Sequence, residues 1–348
     1  MKYNISIIIP TYNTGKFLHE SIDSLIKQTI GFENIEVLIV DDKSTDQYTI
    51  NLINEYSEKY SNIKAIFLEE NSGFPGHPRN IGIENSTADY VMVMDHDDSY
   101  QPTALKTMYN NALKDDADVT ICNYNKIYGE KIEKTPHIFT QPVIKTNNIE
   151  ENLELFKIPP SIWTRLYNKK FLQDNNIKFP EGMLAEDLYV NTYTLLKAQK
   201  IVYLNNYYGY NYKIRDTEED KSTIHIRNKK YLNAMIQGYY KTWNILKETE
   251  SNEYYPIIFQ DHIIYWITSF IKSNTNTEEK KELVKNIMPI LQEQIKYTNT
   301  LNERIYEPLI KPILGGNVEK FIEITTKIGK QRKRKEKIKR IFNKFKLN

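Results

Sequence analysis

The first third of the chain alternates between short apolar runs and stretches in which apolar residues have helical spacing. Runs rich in β-branched residues, which predict strands, occupy residues 5–9, 37–40, 63–68, 91–94 and 119–124. Between them, apolar residues recur about one helical turn apart, as in Leu18, Ile22 and Leu25. Strands that alternate with helices at short spacing predict an α/β fold with a mostly parallel sheet covered on both faces.

The remaining two thirds of the chain carry weaker patterns. Residues 129–149 are polar and lack periodicity, which predicts a connection or a lid. The tyrosine-rich residues 207–212 have two interpretations, an edge strand or an aromatic surface that stacks on a sugar or a base. Helical patterns follow up to residue 326, so we predict three parts: an α/β domain, a helical region and a basic amphipathic tail. Their predicted bounds are residues 1–228, 229–326 and 327–348.

Composition is typical of a globular protein of the reducing cytoplasm. Hydrophobic residues make up 40% and charged residues 26% of the 348 positions. No run approaches the roughly 18 apolar residues of a spanning helix, and the first residues enter a strand pattern without a signal-peptide cleavage site. The single cysteine, Cys122, excludes an internal disulfide and is expected to be a small core residue.

The charge is unevenly distributed along the chain. From Lys327 onward there are 11 basic residues and one acidic residue, whereas the preceding part has 36 basic and 44 acidic residues. Ile338, Ile341, Phe342 and Phe345 have helical spacing within this tail. Such a helix suits peripheral contact with an anionic membrane at its inner face, or with an anionic polymer, and a solvated charge run is the alternative. The acidic body argues against nucleic acid as a partner.

An acidic cluster follows the strand predicted at residues 91–94. Asp95, Asp97 and Asp98 place three carboxylates within four positions, interrupted only by His96. Carboxylates this close repel one another unless a cation or solvent intervenes. Mg²⁺ or Mn²⁺ suits the cluster because these ions take a few carboxylates and leave positions for water and phosphate oxygens. An acidic loop that is simply solvated is the alternative.

Polar residues also follow the other predicted strands. They occupy residues 10–13, Asp41 and Asp42, and residues 71–79. Because ligands bind beyond the carboxyl ends of parallel strands, we expect these groups to line one cleft. Turn residues are common at strand ends in any protein, which is the alternative explanation. Glu186 and Asp187 open a later helix, where acids also favour the helix dipole.

Taken in order, these motifs resemble those of the family 2 inverting glycosyltransferases with a GT-A fold. The resemblance covers residues 5 to 225 or so, and its ordered series is more specific than any one motif. The matching segments are residues 7–13, 40–46, 71–73, 78–82, 94–98, 163–167, 186–187, 212–215 and 222–223. The layout is also similar to that of wall teichoic acid β-N-acetylglucosaminyltransferases, a bacterial cell-envelope type.

The resemblance implies roles for individual residues. The uridine pocket would be lined by Pro10, Tyr12 and Asp41, and the nucleotide and its phosphates would be flanked by Asn71 and Arg79. Asp95 would reach the ribose and metal region, with His96 beside it, and Asp97 would be the main ligand of Mn²⁺ or Mg²⁺. Asp187 would be the general base with support from Glu186, and a mobile loop over the pyrophosphate would contain Arg215, Ser222 and Thr223.

The implied reaction is a metal-dependent, inverting transfer of a sugar from a UDP-sugar. The donors considered are UDP-GlcNAc, UDP-GalNAc, UDP-Glc and UDP-Gal, and the acceptor is a hydroxyl of a cell-envelope glycan or of a polyol-phosphate such as teichoic acid. An Asp with an ordinary pKa of about 3.9 would be ionised at neutral pH and available as the base. A metal-dependent phosphoryl hydrolase and a non-catalytic glycan-binding module are the alternatives. A metal-ligating role for His225 and homo-oligomer formation both stay open.

Overall fold

A computed structural model describes residues 3–215, 227–297 and 303–345 of the chain. The chain divides into two compact units, Met1–Ser222 and Thr223–Asn348. The domain boundary predicted after residue 228 stays a prediction, because residues 216–226 lie outside the described part.

The first unit is built on one mixed sheet. Its strands in chain order are β1 (Ile5–Thr11), β2 (Ile35–Asp41), β3 (Ile63–Phe67), β4 (Tyr90–Val93), β5 (Ser99–Tyr100), β6 (Val119–Tyr128), β7 (Lys131–Lys134), β8 (Ile144–Thr146), β9 (Arg165–Asn168) and β10 (Ile201–Lys213). Across the sheet the order is β3, β2, β1, β4, β9, β6, β10 and β5. In addition, β7 pairs with β6, and β8 pairs with β10.

The strands β3, β2, β1 and β4 are parallel to one another, as the sequence pattern predicts. β1 and β2 are buried along their whole length, which explains why residues 7–10 and 37–40 are apolar without alternation. β9 then runs antiparallel between β4 and β6, so the sheet as a whole is mixed. The sequence of β9, Arg-Leu-Tyr-Asn, has neither the β-branched residues nor the alternation that would have predicted a strand.

Helices pack against this sheet in the first unit. They are α1 (Phe17–Ile26), α2 (Gln47–Lys59), α3 (Gly76–Asn85), α4 (Ala104–Asp115), α5 (Lys169–Asp174) and α6 (Glu186–Lys197). Short 3-10 helices occupy Phe32–Asn34, Ile149–Lys157 and Ile162–Thr164. α3 lies very close to β1, because a Cβ atom on Gly82 would come within 2.3 Å of the Ile8 side chain. A glycine at this position is therefore required by packing.

The segment predicted as a connection or lid, residues 129–149, contains β7 and β8. Its middle part is tied to the sheet by Asn205, whose Nδ2 donates hydrogen bonds to Phe139 O at 2.7 Å and Gln141 O at 2.8 Å. The side chain of His137 also bonds to the backbone oxygen of Asn205 at 3.0 Å. These contacts fix the segment as a connection in this structure.

The tyrosine-rich residues belong to the long strand β10. This strand pairs with β6 on one side and with β5 and β8 on the other, so the edge-strand interpretation is wrong. Tyr210 is fully buried and stacks on Trp163 with 4.2 Å between ring centroids, so it is not available to a ligand. The same burial holds for Cys122, whose thiol pKa is raised to about 12, as expected of a core residue.

The second unit is helical, as predicted for the C-terminal region. Its helices are α7 (Lys229–Glu248), α8 (Tyr255–Lys272), α9 (Thr277–Tyr297), α10 (Glu303–Leu314) and α11 (Val318–Phe345), with a 3-10 helix at Asn252–Tyr254. α11 includes most of the basic tail and continues across the boundary predicted after residue 326. Among the described residues, no helix combines the length and the apolar character that crossing a membrane requires.

Candidate active site

The carboxyl ends of β2, β1 and β4 meet at one edge of the sheet. Thr11 at the end of β1 lies opposite Asp41 at the end of β2, and Met94 N donates to Ile8 O at 2.9 Å just beyond β4. Asp41 and Asp95 therefore follow strands that are two positions apart in the sheet, or roughly 10 Å at the usual strand spacing. The structure brings the polar strand ends to the same edge, as the sequence analysis expects.

Asp41 is buried and held by three donors. Its carboxylate accepts hydrogen bonds from Thr11 Oγ1 at 3.2 Å, Ser44 N at 2.7 Å and Ser44 Oγ at 2.6 Å. Two of these donors bind Oδ1 and one binds Oδ2, so Oδ2 keeps acceptor capacity. Thr11 and Ser44 thus fix the orientation of the carboxylate that the resemblance assigns to the uridine pocket.

The loops beside Asp41 are organised by Asn13, which the sequence analysis did not single out. Asn13 has a φ of +48°, and its Oδ1 accepts hydrogen bonds from Thr45 N at 2.8 Å and Asp46 N at 2.9 Å. Asn is among the residues that tolerate this left-handed conformation, so an asparagine directly after β1 was the feature of the sequence that could have indicated this turn. On the same turn Pro10 is buried, whereas the side chain of Tyr12 is 47% exposed. Tyr12 is therefore accessible to a ligand.

Asn71 begins a loop that Asp42 holds in place. Asn71 Nδ2 donates to Asp42 O at 2.6 Å, and the Asp42 carboxylate accepts from Ser72 N at 2.9 Å and Gly73 N at 3.2 Å. Asp42 is 5% exposed. The Asp42 carboxylate therefore binds the backbone of the loop after β3. The adjacent acids Asp41 and Asp42 thus differ in their partners, because Asp41 binds Thr11 and Ser44 instead.

The three carboxylates after β4 have three different environments. Asp98 is buried and accepts hydrogen bonds from Tyr210 Oη at 2.9 Å and Lys213 N at 2.8 Å. Burial, with the nearby charges of Asp97 and Asp95, raises the pKa of Asp98 well above its usual range. Asp98 therefore joins the acidic loop to β10 through Tyr210 and Lys213. The sequence alone did not predict this contact.

Asp95 and Asp97 remain partly exposed, and each is paired with an arginine. Asp97 forms an ion pair with Arg215, and Asp95 Oδ1 accepts a hydrogen bond from Arg79 Nη2 at 2.9 Å. His96 lies between them with a partly exposed side chain. In this structure both candidate metal ligands are thus neutralised by cations from other parts of the chain.

Arg79 is a buried link between the acidic cluster and the start of α6. Its side chain is 5% exposed, and Nη1 donates to Glu186 Oε1 at 2.6 Å while Nη2 reaches Asp95. Burial alone would lower the pKa of Arg79, but the two carboxylates raise it overall. The resemblance implies that Arg79 flanks the nucleotide phosphates, whereas in this structure its guanidinium lies between two protein acids.

The segment before α6 is held against the start of α3. Asn80 donates to Phe179 O and accepts from Phe179 N, both at 2.9 Å. A Cβ atom on Gly76 would come within 2.2 Å of Pro180 O, so only glycine allows this approach. Ala185 directly precedes α6 with a φ of +59°, a conformation that costs a non-glycine residue about 1 kcal/mol or more. The first turn of α6 is therefore positioned by tertiary contacts.

Asp187 lies in this first turn, next to Glu186. Burial raises its pKa to about 7, and the neighbouring Glu186 carboxylate adds to the effect, although Leu188 N donates to Asp187 Oδ1 at 2.7 Å. Arg79 and Arg165 act in the opposite direction but do not restore the ordinary value. The expectation of an ordinary pKa is thus wrong, because the surroundings disfavour the charged carboxylate.

The remaining predicted residues cannot be placed. Ser222, Thr223 and His225 lie outside the described residues, and Arg215 is the last residue before that gap. The residues that sequence reasoning missed act through other residues, as Asn13, Ser44 and Tyr210 do. Arg165 is a further case, since it belongs to the matching segment 163–167 but has no role that the sequence alone reveals.

The donor set of Asp95 and Asp97 fits a hard divalent cation. Mg²⁺ is commonly held by one or two carboxylates together with substrate phosphates and water, so a complete protein cage is not needed. The described residues contain no group of three or more His, Cys, Asp or Glu side chains arranged to hold an ion. Binding through Asp97 requires Arg215 to leave the carboxylate that it now contacts.

Solved structures share this architecture. The crystal structure of residues 1–349 of S. aureus TarS in complex with UDP-GlcNAc superposes with a TM-score of 0.72 at 24% identity. The match covers 91% of this chain and 89% of that one. The likeness confirms the predicted GT-A fold with a helical C-terminal region.

Comparison with known sequences gives the family. The family profile described as Glycosyl transferase family 2 matches residues 6–176. The chain is 30% identical to the uncharacterized glycosyltransferase YibD of Escherichia coli, over 71% of this chain and 71% of that protein. The chain therefore belongs to glycosyl transferase family 2.

A further relative carries a more specific name. The chain is 32% identical to the poly(ribitol-phosphate) beta-glucosyltransferase of Bacillus spizizenii over 66% of its own length. It spans only 35% of that relative and 54% of a TarS protein of Staphylococcus aureus.

Proposed function

We propose that the protein transfers a sugar from a UDP-sugar to a hydroxyl of a cell-envelope glycan or polyol-phosphate acceptor, with inversion at the anomeric carbon. The observation that carries this proposal is the chain of contacts from Asp95 through Arg79 to Glu186, the residue that directly precedes the base candidate Asp187. The relatives support it, since they include a poly(ribitol-phosphate) beta-glucosyltransferase and a protein crystallised with UDP-GlcNAc.

The base in this proposal is Asp187. An acceptor hydroxyl beside its carboxylate transfers its proton to Asp187 as the hydroxyl oxygen attacks the anomeric carbon and UDP leaves from the opposite face. A single displacement of this kind inverts the configuration. Arg79 contacts Glu186 at 2.6 Å and Asp95 at 2.9 Å, so it links the residue next to the base with the acidic loop.

The donor lies, in this proposal, along the strand ends that carry Tyr12, Asp41 and Asp95. Tyr12 is exposed and suits stacking on the base, while Asp41 Oδ2 retains acceptor capacity for an N–H of uracil. Asp97 and Asp95 would hold Mn²⁺ or Mg²⁺, which when bound supplies positive charge for the leaving pyrophosphate. Arg215, once released from Asp97, is free to contact the same phosphates.

Two measurements test the proposal directly. Calorimetric titration with UDP, GDP and ADP, with and without Mn²⁺, is expected to show metal-dependent binding of UDP in preference to the others. A UDP-release assay with UDP-GlcNAc, UDP-GalNAc, UDP-Glc and UDP-Gal, with poly(ribitol phosphate) as acceptor, then identifies the sugar. Release of inorganic phosphate without an acceptor would support a phosphoryl hydrolase, and absence of nucleotide binding would support a glycan-binding module.

The pH dependence of the reaction is expected to follow Asp187. A base must be unprotonated, and burial raises the pKa of Asp187 to about 7, so kcat/KM should fall about tenfold per pH unit below that value. Above pH 8 it should reach a plateau. Measuring kcat/KM from pH 5 to pH 9 checks this; a profile that stays flat down to pH 5 would contradict the raised pKa or the assignment of the base.

We propose peripheral membrane contact for the basic tail. Its helix, α11, carries the charge run, and anionic lipid attracts each nearby Lys or Arg by about 1 kcal/mol. Deleting residues 331–348 is expected to abolish binding to phosphatidylglycerol vesicles, with phosphatidylcholine vesicles as the control, and to leave transfer to a dissolved acceptor unchanged. Vesicle binding that survives the deletion would show that another surface is responsible.

A further inference from the structure

Arg165 is a buried cation whose donors all meet neutral acceptors. The residue is 1% exposed at the start of β9. Its guanidinium donates to Ser161 O, Pro159 O and Thr164 Oγ1, and twice to Asn191 Oδ1. Within the described part of the chain, no carboxylate lies within ion-pair distance of it. Arg165 therefore differs from Arg79, which is equally buried but bonded to two acids.

A buried charge without a partner is costly to the fold. Taking a guanidinium out of water disfavours folding unless an opposite charge compensates it, and neutral hydrogen bonds compensate only in part. Accordingly, burial lowers the pKa of Arg165. The guanidinium uses all five of its N–H donors here, and it brings with them a positive charge that these neutral acceptors do not neutralise.

The contact with Asn191 places Arg165 against the face of α6 that carries Asp187. Asn191 Oδ1 accepts from Arg165 Nε at 3.1 Å and from Nη2 at 2.9 Å. Asn191 follows Asp187 by four positions in α6, and residues four apart lie on the same helical face. Helical side chains also lean toward the N-terminus of the helix, which brings the bound guanidinium nearer to Asp187.

We propose that Arg165 is a positioning residue for the transfer reaction: it holds α6 through Asn191 and keeps an uncompensated positive charge behind the Asp187 carboxylate. The proposal rests on the proposed function, in which Asp187 is the base. It goes further by giving the Trp163 to Tyr167 segment a part in the chemistry. The charge favours the ionised, proton-accepting form of Asp187 without Arg165 touching the substrate.

Several ionisable groups act on Asp187 besides Arg165. Glu186 on the same helix disfavours its charge, and Arg79 from α3 favours it. The phenols of Tyr124 and Tyr167, from β6 and β9, also lie within electrostatic range. Both tyrosines have pKa values raised by burial and stay neutral throughout the pH range of the assay. The charged groups that shift the pKa of Asp187 are therefore one acid, Glu186, and two arginines, Arg79 and Arg165.

Asn191→Asp changes charge with little change of shape, and because its own carboxylate also disfavours the charge on Asp187 one helical turn away, its result is compared with that of Arg165→Gln. The new carboxylate keeps an oxygen where Asn191 Oδ1 accepts from Arg165, and it supplies the missing partner. The acidic limb of kcat/KM should move to higher pH by at least about half a unit, which is about threefold less activity at pH 6. At pH 9 the variant should stay within about twofold of the wild type.

Further variants separate charge from shape. Arg165→Gln removes the positive charge and adds no acid, so the acidic limb of kcat/KM is expected to move in the same direction, to higher pH. Arg165→Lys keeps the charge and should leave the limb in place, even if the plateau falls. Gln199→Glu adds an exposed acid beyond the far end of α6 and should not move the limb.

The outcomes are decisive for the proposal. If the limb stays in place in Arg165→Gln, or in Asn191→Asp where Arg165→Gln does not fold, Arg165 serves packing alone and the proposal is overturned. A limb that moves equally in Arg165→Lys overturns it as well, since the charge is then not the cause. The inference and the proposed function fail differently: an active Asp187→Asn variant removes both, whereas an inactive one with an unmoved limb in Asn191→Asp removes only the inference.

Discussion

Replacing Asp187 with Asn is expected to lower kcat/KM for sugar transfer by a factor on the order of 10² to 10⁴, the usual contribution of a general base. The amide has nearly the same shape as the carboxylate but does not accept the proton of the acceptor hydroxyl. Asp187 lies at the start of α6, apart from the strand ends that carry Tyr12 and Asp41, so the affinity for UDP should stay within about twofold.

The measurement combines UDP release at pH 8 with calorimetric binding of UDP in Mn²⁺. Asp174→Asn, at an exposed position at the end of α5, is the matched control and should behave as the wild type. Turnover within tenfold of the wild type would show that another group accepts the proton.

Loss of activity in Asp187→Asn is not expected to reflect loss of the fold. The pKa of this carboxyl rises from 3.8 to about 7 on folding, so the folded state binds the proton more tightly than the unfolded state. Stability therefore falls as pH rises from about 4 to about 7, and the penalty above pH 7 is on the order of 4 kcal/mol at most. The Asn variant lacks this penalty, so it should unfold at a higher temperature than the wild type at pH 8 and at a similar temperature near pH 4.

The parts of the fold that could be predicted from sequence are those with strong local patterns. β1 and β2 contain continuous apolar runs at residues 7–10 and 37–40 because both faces of the sheet are covered there, and α1 and α2 show one apolar face each. β9 could not be predicted, since its four residues are ordered by pairing with β4 and β6 rather than by their own propensities. Tyrosine is amphipathic, so the sequence predicts that the tyrosines of β10 are exposed. In the structure Tyr210 is buried against Trp163.

In the candidate site, too, local sequence patterns predict some features and tertiary contacts determine the others. The positions of Asp41, Asp95 and Asp97 follow from strand ends, which the sequence reveals. Their partners do not, because Arg79 meets Glu186 across 107 positions of the chain and Arg215 meets Asp97 across more than a hundred. The pKa of Asp187 depends on burial and on the balance of Glu186 against two arginines, and neither is visible in a linear motif.

Asp97→Asn is expected to abolish the effect of Mn²⁺ on UDP binding. The dissociation constant for UDP in Mn²⁺ should rise at least about tenfold and match the value in EDTA, because a neutral amide oxygen is a poor ligand for a hard cation. Binding in EDTA should be no weaker than in the wild type, since Arg215 loses its carboxylate partner and is free for the phosphates. Titration calorimetry of both proteins, with and without Mn²⁺, measures all four values.

Asp89→Asn is the control for this variant, because Asp89 precedes β4 at the opposite end of the same strand and is exposed. Persistence of the Mn²⁺ effect in Asp97→Asn would remove Asp97 as the main ligand and leave Asp95 to be tested in the same way. The two substitutions should also differ in kind: Asp97→Asn weakens donor binding, whereas Asp187→Asn lowers kcat at unchanged UDP affinity. In the proposed reaction the two residues act on different substrates: Asp97 acts on the donor through the metal, and Asp187 acts on the acceptor hydroxyl.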